Sequence, residues 1–340
     1  MLSYTDEMTF LERLNNVAAF VFDAALRHCY HWPNQRKIYQ KYFPNAKKSL
    51  DEISKSSAIV FVNDHVSSST ARPYLPNVIE IGGIHIEPSK KLPEDLKRFL
   101  DSATKGVILF SMGSIVQAVD WPLDKREALV KAFGKIKQKV LWKYENETLP
   151  NKPDNVMISP WIPQRDILAH PNVKLFITHG GLLGTSEALT EGVPVLGFPI
   201  YGDQMMNMAK AVSRGYGLKI GIEEISEESV SRALNELLSN SKYLENAKTI
   251  SKKFTDRPMT PQGTVIYWTD YAYRHKGAPH LQAAAKSLSF IEFYLVDVYV
   301  TLAVIGFLFF FIDYLALKFL VRKFMKKPVK ATTSLKKKKN

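Results

Sequence analysis

The residues best suited to chemistry lie in the run Phe176-Ile177-Thr178-His179-Gly180-Gly181, where a β-rich segment ends on an imidazole and a glycine pair before a helical pattern begins near Leu182. A strand that turns through glycine into a helix makes an anion site. The free amide N–H groups and the positive end of the helix point above the strand's carboxyl end, and Gly180 and Gly181 let a phosphate approach the backbone. His179 can add a charge-assisted donor there. Glu187 falls on the second turn of the helix, within reach of a vicinal diol, as acidic side chains are for ribose hydroxyls in dinucleotide folds. Trp161-Ile162-Pro163-Gln164 ends the preceding strand, where an indole face can stack on a base and a carboxamide can hydrogen-bond it. The small-residue loop from Ser111 to Ser114 and the pair Asp203-Gln204 follow two other strands.

Each of these groups needs a strand's carboxyl end to hold it, and residues 106–220 supply strands in series. Short β-rich runs are expected at 106–110, 140–143, 156–159, 175–178, 193–197 and 217–220, alternating with helical patterns at 124–137, 182–190 and 203–213. That alternation specifies an α/β architecture, a parallel sheet wound on both faces, which binds ligands outside the carboxyl ends of its strands. Further helices are expected at 227–238, 242–255 and 264–273. Upstream, residues 1–85 hold a helix near 5–30, shorter helical pieces and two plausible strands at 59–63 and 78–82. This is too little sheet for an α/β domain of comparable size and reads as the rear portion of one, with 88–93 as the linker. Plainer roles compete at single positions: Trp161 as core filler, Asp203 as a helix N-cap, Glu187 as an exposed helix acid, and Met205, Met206 and Met208 as core.

The formal charge of +13 is concentrated, since ten of the 46 Lys and Arg lie in residues 318–340 with no acid among them, leaving the rest near +3. A near-neutral body with a basic tail argues against a nucleic-acid groove and for a membrane flank. The single cysteine, Cys29, excludes an intramolecular disulfide framework and a thiolate metal cluster. Residues 298–317 form the longest apolar run, with Asp313 as its one charge. At about 1.5 Å per residue this run crosses the roughly 30 Å hydrocarbon core as one transmembrane helix. Lysines and arginines follow it while Glu292 and Asp297 precede it, so the C-terminus is expected in the cytosol and the sequon Asn146-Glu147-Thr148 on the opposite side. The first thirty residues show no basic n-region, uninterrupted apolar run or small-residue cleavage site, and Met1 is therefore expected to be internal to a longer precursor.

In order and spacing, Trp161-x-Pro-Gln164, the stretch 176–187, Pro194, Pro199 and Asp203-Gln204 resemble the donor-site signature of the membrane-bound UDP-glycosyltransferases, or UDP-glucuronosyltransferases. The resemblance covers essentially the whole chain. It implies a GT-B fold, two Rossmann-like halves facing a cleft, of which this chain would hold a partial acceptor-binding domain at 1–85 and a complete UDP-sugar-binding domain at 86–285. A juxtamembrane segment with one C-terminal transmembrane helix at 286–317 and a basic cytosolic tail at 318–340 would follow. By position, Trp161 would stack on uracil and Gln164 contact the base. His179 and the N–H groups of Gly180 and Gly181 would hold the diphosphate, Glu187 the ribose, and Asp203 and Gln204 the sugar hydroxyls, while Ser111 and Ser114 would face the phosphates. Many members carry Asn at the position of Leu183, so one polar contact departs from the pattern. The Leu182-Leu183 pair looks like the invertebrate-type loop and favours glucose over glucuronic acid. The family's catalytic His-Asp pair matches no residue here. Lys337-Lys338-Lys339-Asn340 fits a dilysine pattern that the resemblance associates with the endoplasmic reticulum.

The function expected from the resemblance is inverting transfer of a hexosyl group from UDP-glucose or UDP-glucuronic acid to a small lipophilic acceptor. The chain would sit in the endoplasmic reticulum membrane, body lumenal, with no cofactor beyond the UDP-sugar co-substrate and no metal, and would be inactive alone because the base is missing. The rival is a non-catalytic membrane protein that binds UDP-sugar and pairs with full-length members as a homo- or hetero-oligomer. A nicotinamide dehydrogenase is set aside because no G-x-G-x-x-G follows the first strand.

Overall fold

The computed structural model describes Leu2 and residues 4–325; Met1 and the expected tail from Lys326 through the dilysine end lie outside the described residues. Two units are distinguished, Met1–Leu281 and Gln282–Asn340.

The first unit opens on α1 (Phe10–Leu26), started by a reciprocal capping box between Thr9 and Glu12. The expected end near residue 30 is overrun: a π-turn, Arg27–His31, leads directly into α2 (Trp32–Tyr42). Pro33 has no N–H to donate to the carbonyl four residues back, and widening the turn by one residue carries the helix past it. A short α3 (Leu50–Lys55) follows. Two parallel strands, β1 (Val60–Val62) and β2 (Val78–Glu80), pair with Val60 opposite Val78.

Downstream stand α4 (Glu94–Asp101), β3 (Val107–Ser111), α5 (Leu123–Gly134), β4 (Lys139–Lys143), β5 (Val156–Ser159), α6 (Gln164–Leu168), β6 (Val173–Thr178), α7 (Leu182–Glu191), β7 (Val195–Gly197), α8 (Gln204–Ser213) and β8 (Gly217–Lys219). All six strands run parallel in the order β5-β4-β3-β6-β7-β8, the complete doubly wound topology with its switch point between β3 and β6. The unit closes on α9 (Glu227–Ser239), α10 (Ser241–Thr255) and α11 (Pro261–Arg274). Strand alternation builds two cores: Ile108 and Phe110 pack with α5 and α9 on one face, while Val107 and Leu109 pack with α4, α7 and α10 on the other.

Two boundaries differ from expectation for identifiable reasons. The helix expected to run to 137 stops at Gly134 because the Asn155 carboxamide donates to the carbonyls of Phe133 and Gln138, each at 2.9 Å, and pulls the last turn open. The strand expected from 193 starts at Val195 because the N–H of Val193 closes α7 on the carbonyl of Ala188, next to the left-handed Gly192, and Pro194 has no N–H for the ladder.

In the second unit, α12 (Phe290–Phe293) precedes α13 (Val296–Met325), thirty residues long with none buried, and long and apolar enough to cross a membrane. The expected span 298–317 lies inside it, with Asp297 in its first turn and Arg322 and Lys323 in its last.

Candidate functional site

The carboxyl ends of β3 and β6 flank the switch point, and above them lies a cavity of about 620 Å³. Ser111, Ser114, Trp161, Gln164, His179, Gly181, Glu187 and Asp203 all line it. Gly180 and Gln204 do not.

At one end stands Trp161, 72% exposed on the cavity wall, so the core-filler role is excluded. Beside it the Gln164 Nε2 donates to Glu187 Oε2 at 2.7 Å. The two groups expected on base and ribose are therefore held in one hydrogen-bonded pair, which also shows that Glu187 is more than a solvated helix acid. Gly184, one turn before Glu187, lets the pair form, because a Cβ there would stand 3.1 Å from Gln164 Nε2.

The other end is the N-terminus of α7. Gly181, Leu182, Leu183 and Gly184 line the cavity, and no side chain caps the helix. The first-turn amides, which have no partner within a helix, thus face the cavity with the positive end of the dipole behind them. His179 lies against this turn. Gly113, at φ +81°, makes room for the imidazole, since a Cβ there would approach its Cε1 to 2.8 Å.

Three groups have surroundings that the spacing does not reveal. Burial holds the His179 pKa below the ordinary histidine value, with Asp203 only partly opposing, and Nδ1 has no partner among the described residues. Gly180 does not present its amide to the cavity, because its N–H donates to Thr178 Oγ1 at 3.3 Å. At φ +82°, it serves instead to turn the chain beneath Met208, whose Cγ would lie 2.6 Å from a Cβ. Gln204 is buried, and its Oε1 accepts from the N–H groups of Ile200 and Tyr201 at 2.8 and 3.0 Å, bracing the loop rather than reaching into the cavity.

Asp203 precedes α8 but makes no side-chain cap; its Oδ2 accepts from Asn207 Nδ2 at 2.8 Å, and Asn207 also donates to the carbonyl of Gly180 at 3.0 Å. Sequence reasoning missed Asn207, although its place one turn after Asp203 was a usable signal. It also missed Lys143, a cavity-lining cation at the end of β4. Lys143 pairs with Glu145 at 2.9 Å, both largely buried, and Glu145 in turn accepts from the N–H of Ala118 to hold the loop after β3. Ser111 is buried at the cavity floor, where its Oγ accepts from the N–H of Gly113 at 3.3 Å. Among the described residues no three His, Cys, Asp or Glu side chains converge as a metal site.

A complete doubly wound domain, with a cavity at its switch point and a parallel strand pair upstream, makes this an α/β fold that agrees with the GT-B class. The solved glycotransferase of kitacinnamycin shares the fold, with a TM-score of 0.57 at 19% identity over 76% of this chain and 67% of that one. The chain belongs to the family described as UDP-glucoronosyl and UDP-glucosyl transferase, whose profile it matches over residues 1–339. It is 44% identical over 293 residues to UDP-glycosyltransferase UGT5 of Dactylopius coccus, covering 86% of this chain and 56% of the relative. It is 36% identical over 299 residues to UDP-glucuronosyltransferase 2A3 of Pongo abelii, covering 88% of this chain and again 56% of the relative. The chain thus spans a little over half the length of these relatives.

Proposed function

We propose that this chain carries the donor half of a membrane-anchored UDP-glycosyltransferase, which moves glucose or glucuronic acid from its UDP-sugar to a small lipophilic acceptor. The observation that carries the reading is one cavity with an exposed indole and the Gln164–Glu187 pair at one end and the uncapped start of α7 at the other. Its 620 Å³ suits a nucleotide with its sugar. Uracil stacks on Trp161 with Gln164 at its edge, Glu187 takes the ribose hydroxyls, and the diphosphate lies on the α7 amides beside His179. Asp203, fixed by Asn207, accepts from sugar hydroxyls.

In the reaction the acceptor oxygen attacks the anomeric carbon, the bond from that carbon to the phosphate oxygen breaks, and the configuration inverts. Charge develops on the departing UDP, where the α7 amides and an imidazole N–H of His179 stabilise it. The acceptor proton goes to a general base, a term worth about 10²- to 10⁴-fold, for which this chain offers no matched residue. The 340-residue chain alone is therefore expected to bind UDP without turnover. The proposed location is the endoplasmic reticulum membrane, with the body lumenal.

A second reading, a non-catalytic chain that pairs with complete family members, is favoured by α1, whose Phe10, Leu14, Val17 and Phe20 are all more than half exposed. Calorimetry with UDP on the detergent-solubilised chain tests the donor site: wild type binds and His179→Ala loses most of the affinity. Equal affinity in a folded His179→Ala protein defeats the phosphate role. UDP release from UDP-glucose or UDP-glucuronic acid with a panel of phenols tests turnover, and robust release by this chain would place a base within it.

A further inference from the structure

Three successive residues of α6 each tie down something different. Gln164 holds Glu187. Arg165 donates through Nε to the carbonyl of Glu87 at 3.1 Å and through Nη2 to Glu191 Oε1, at the far end of α7, at 2.7 Å. Asp166 Oδ1 accepts from the N–H of Lys90 at 2.6 Å. Glu87 and Lys90 belong to the irregular segment between β2 and α4, and that segment is also held from the other side of the cavity, where His85 Nε2 donates to the carbonyl of Leu183 at 3.1 Å. Leu183 sits in the α7 turn that forms the anion site. The segment 84–90 is therefore pinned to both walls of the donor cavity, to α6 beneath the base end and to α7 at the phosphate end. Two buried polar atoms without a partner among the described residues, His85 Nδ1 and Arg165 Nη1, lie along this seam. A seam with unpaired buried nitrogens is short of its full hydrogen bonding and gains from a small shift of its parts.

We propose that Arg165 and Asp166 are positioning residues that clamp the segment 84–90 to the donor cavity, so that nucleotide binding tightens the segment joining the upstream strand pair to the six-stranded sheet. The coupling rests on the UDP reading of the cavity, whereas the clamp does not. Any ligand that draws α6 and the α7 turn together also draws in the segment bonded to both, and by linkage a looser segment weakens the ligand by the same factor.

Amide hydrogen exchange on the full 340-residue chain in detergent separates the two parts. Without nucleotide, Asp166→Asn, which keeps the shape and removes the charge, speeds exchange of the Lys90 amide by about tenfold or more, and Arg165→Met loosens 85–90 while Arg165→Lys restores only part of the protection. Unchanged protection in Asp166→Asn overturns the clamp whatever UDP does. With saturating UDP, the wild-type amides of 84–90 slow further, and this extra slowing is lost in both Asp166→Asn and Arg165→Met, whose UDP affinity falls by about three- to tenfold. A wild type that binds UDP by calorimetry yet shows no added protection overturns the coupling. A wild type that binds no UDP overturns the donor reading and the coupling with it, leaving the clamp to be judged by the first arm.

Discussion

In β3 every residue from Val107 to Ser111 is buried, whereas no described residue before Ser69 is. Both regions are regular, but different forces hold them. The sheet is specified by alternating apolar residues that meet partners far along the chain, with the Phe110 ring in contact range of Trp121, Phe133, Trp142 and Phe198. The helix α1 rests on neighbours in sequence: the Thr9–Glu12 capping box and the Asp23–Arg27 ion pair at 2.7 Å. Local hydrogen bonds choose a conformation, but most helical stability in proteins comes from packing an apolar face, and burial is what makes a conformation stable. The donor cavity stands on the sheet's side of this contrast, above the buried carboxyl ends of β3 and β6, which is why its groups are held in register.

The largest test of the contrast is truncation of one ring on each side. Phe110→Ala is expected to destabilise the first unit by about 3–5 kcal/mol, because it leaves a cavity among four aromatic rings, while Phe20→Ala changes stability by less than about 0.5 kcal/mol. Urea unfolding followed by tryptophan fluorescence reads both. Equal losses at the two positions would mean that α1 packs in solution against something that buries it.

A smaller effect sharpens the contrast inside the cavity. Gln164→Ala and Glu187→Ala are each expected to weaken UDP by about tenfold, roughly 1.4 kcal/mol. The double variant should lose less than the sum, because the 2.7 Å bond between them is removed by either change. Strict additivity by calorimetry would show that the two side chains act independently on the ligand.

Much of this was legible because the code was local. The strand, glycine turn and helix from Phe176 to Glu187 carry their own geometry, and six strands could be placed within a few residues from alternation alone. What could not be read depends on which way a side chain turns once packed. Gln204 at the start of a helix can face the cavity or the loop behind it, and only the free N–H groups of Ile200 and Tyr201 decide. The lowered pKa of His179 follows from burial, which no spacing reveals. Lys143 required knowing that β4 ends at the cavity and that Glu145 waits two residues on. The π-turn before Pro33 was foreseeable from proline chemistry, yet whether the chain breaks or bulges there is settled only by the helix on either side.

The smallest effect concerns the seam where the exposed and buried regions meet. The loop after β1 is tied to α8 by Arg214, which donates to the carbonyls of Ser67 and Ser69, and by Lys210, whose Nζ donates to Ser69 Oγ at 3.1 Å. His65 in that loop is half-buried edge-on against Phe254, with ring centroids 5.2 Å apart, and its Nδ1 accepts from the N–H of Ser67. Burial first, and then the Arg257 cation, push its pKa down to about 4, with Asp64 opposing. The unfolded chain, with an ordinary value near 6.5, therefore binds a proton between about pH 6.5 and 4 that the folded chain refuses, so this contribution is full above pH 6.5 and is lost as pH falls through that window. Partial exposure screens it to about 1 kcal/mol or less. His65→Gln keeps an acceptor for the Ser67 N–H but cannot titrate. Urea midpoints at pH 7 and pH 4.5 should therefore differ less for His65→Gln than for wild type, with groups common to both proteins cancelling. If the two proteins lose equal stability on acidification, His65 is already charged or already solvated in the folded state, and the seam does not join the two regions as described.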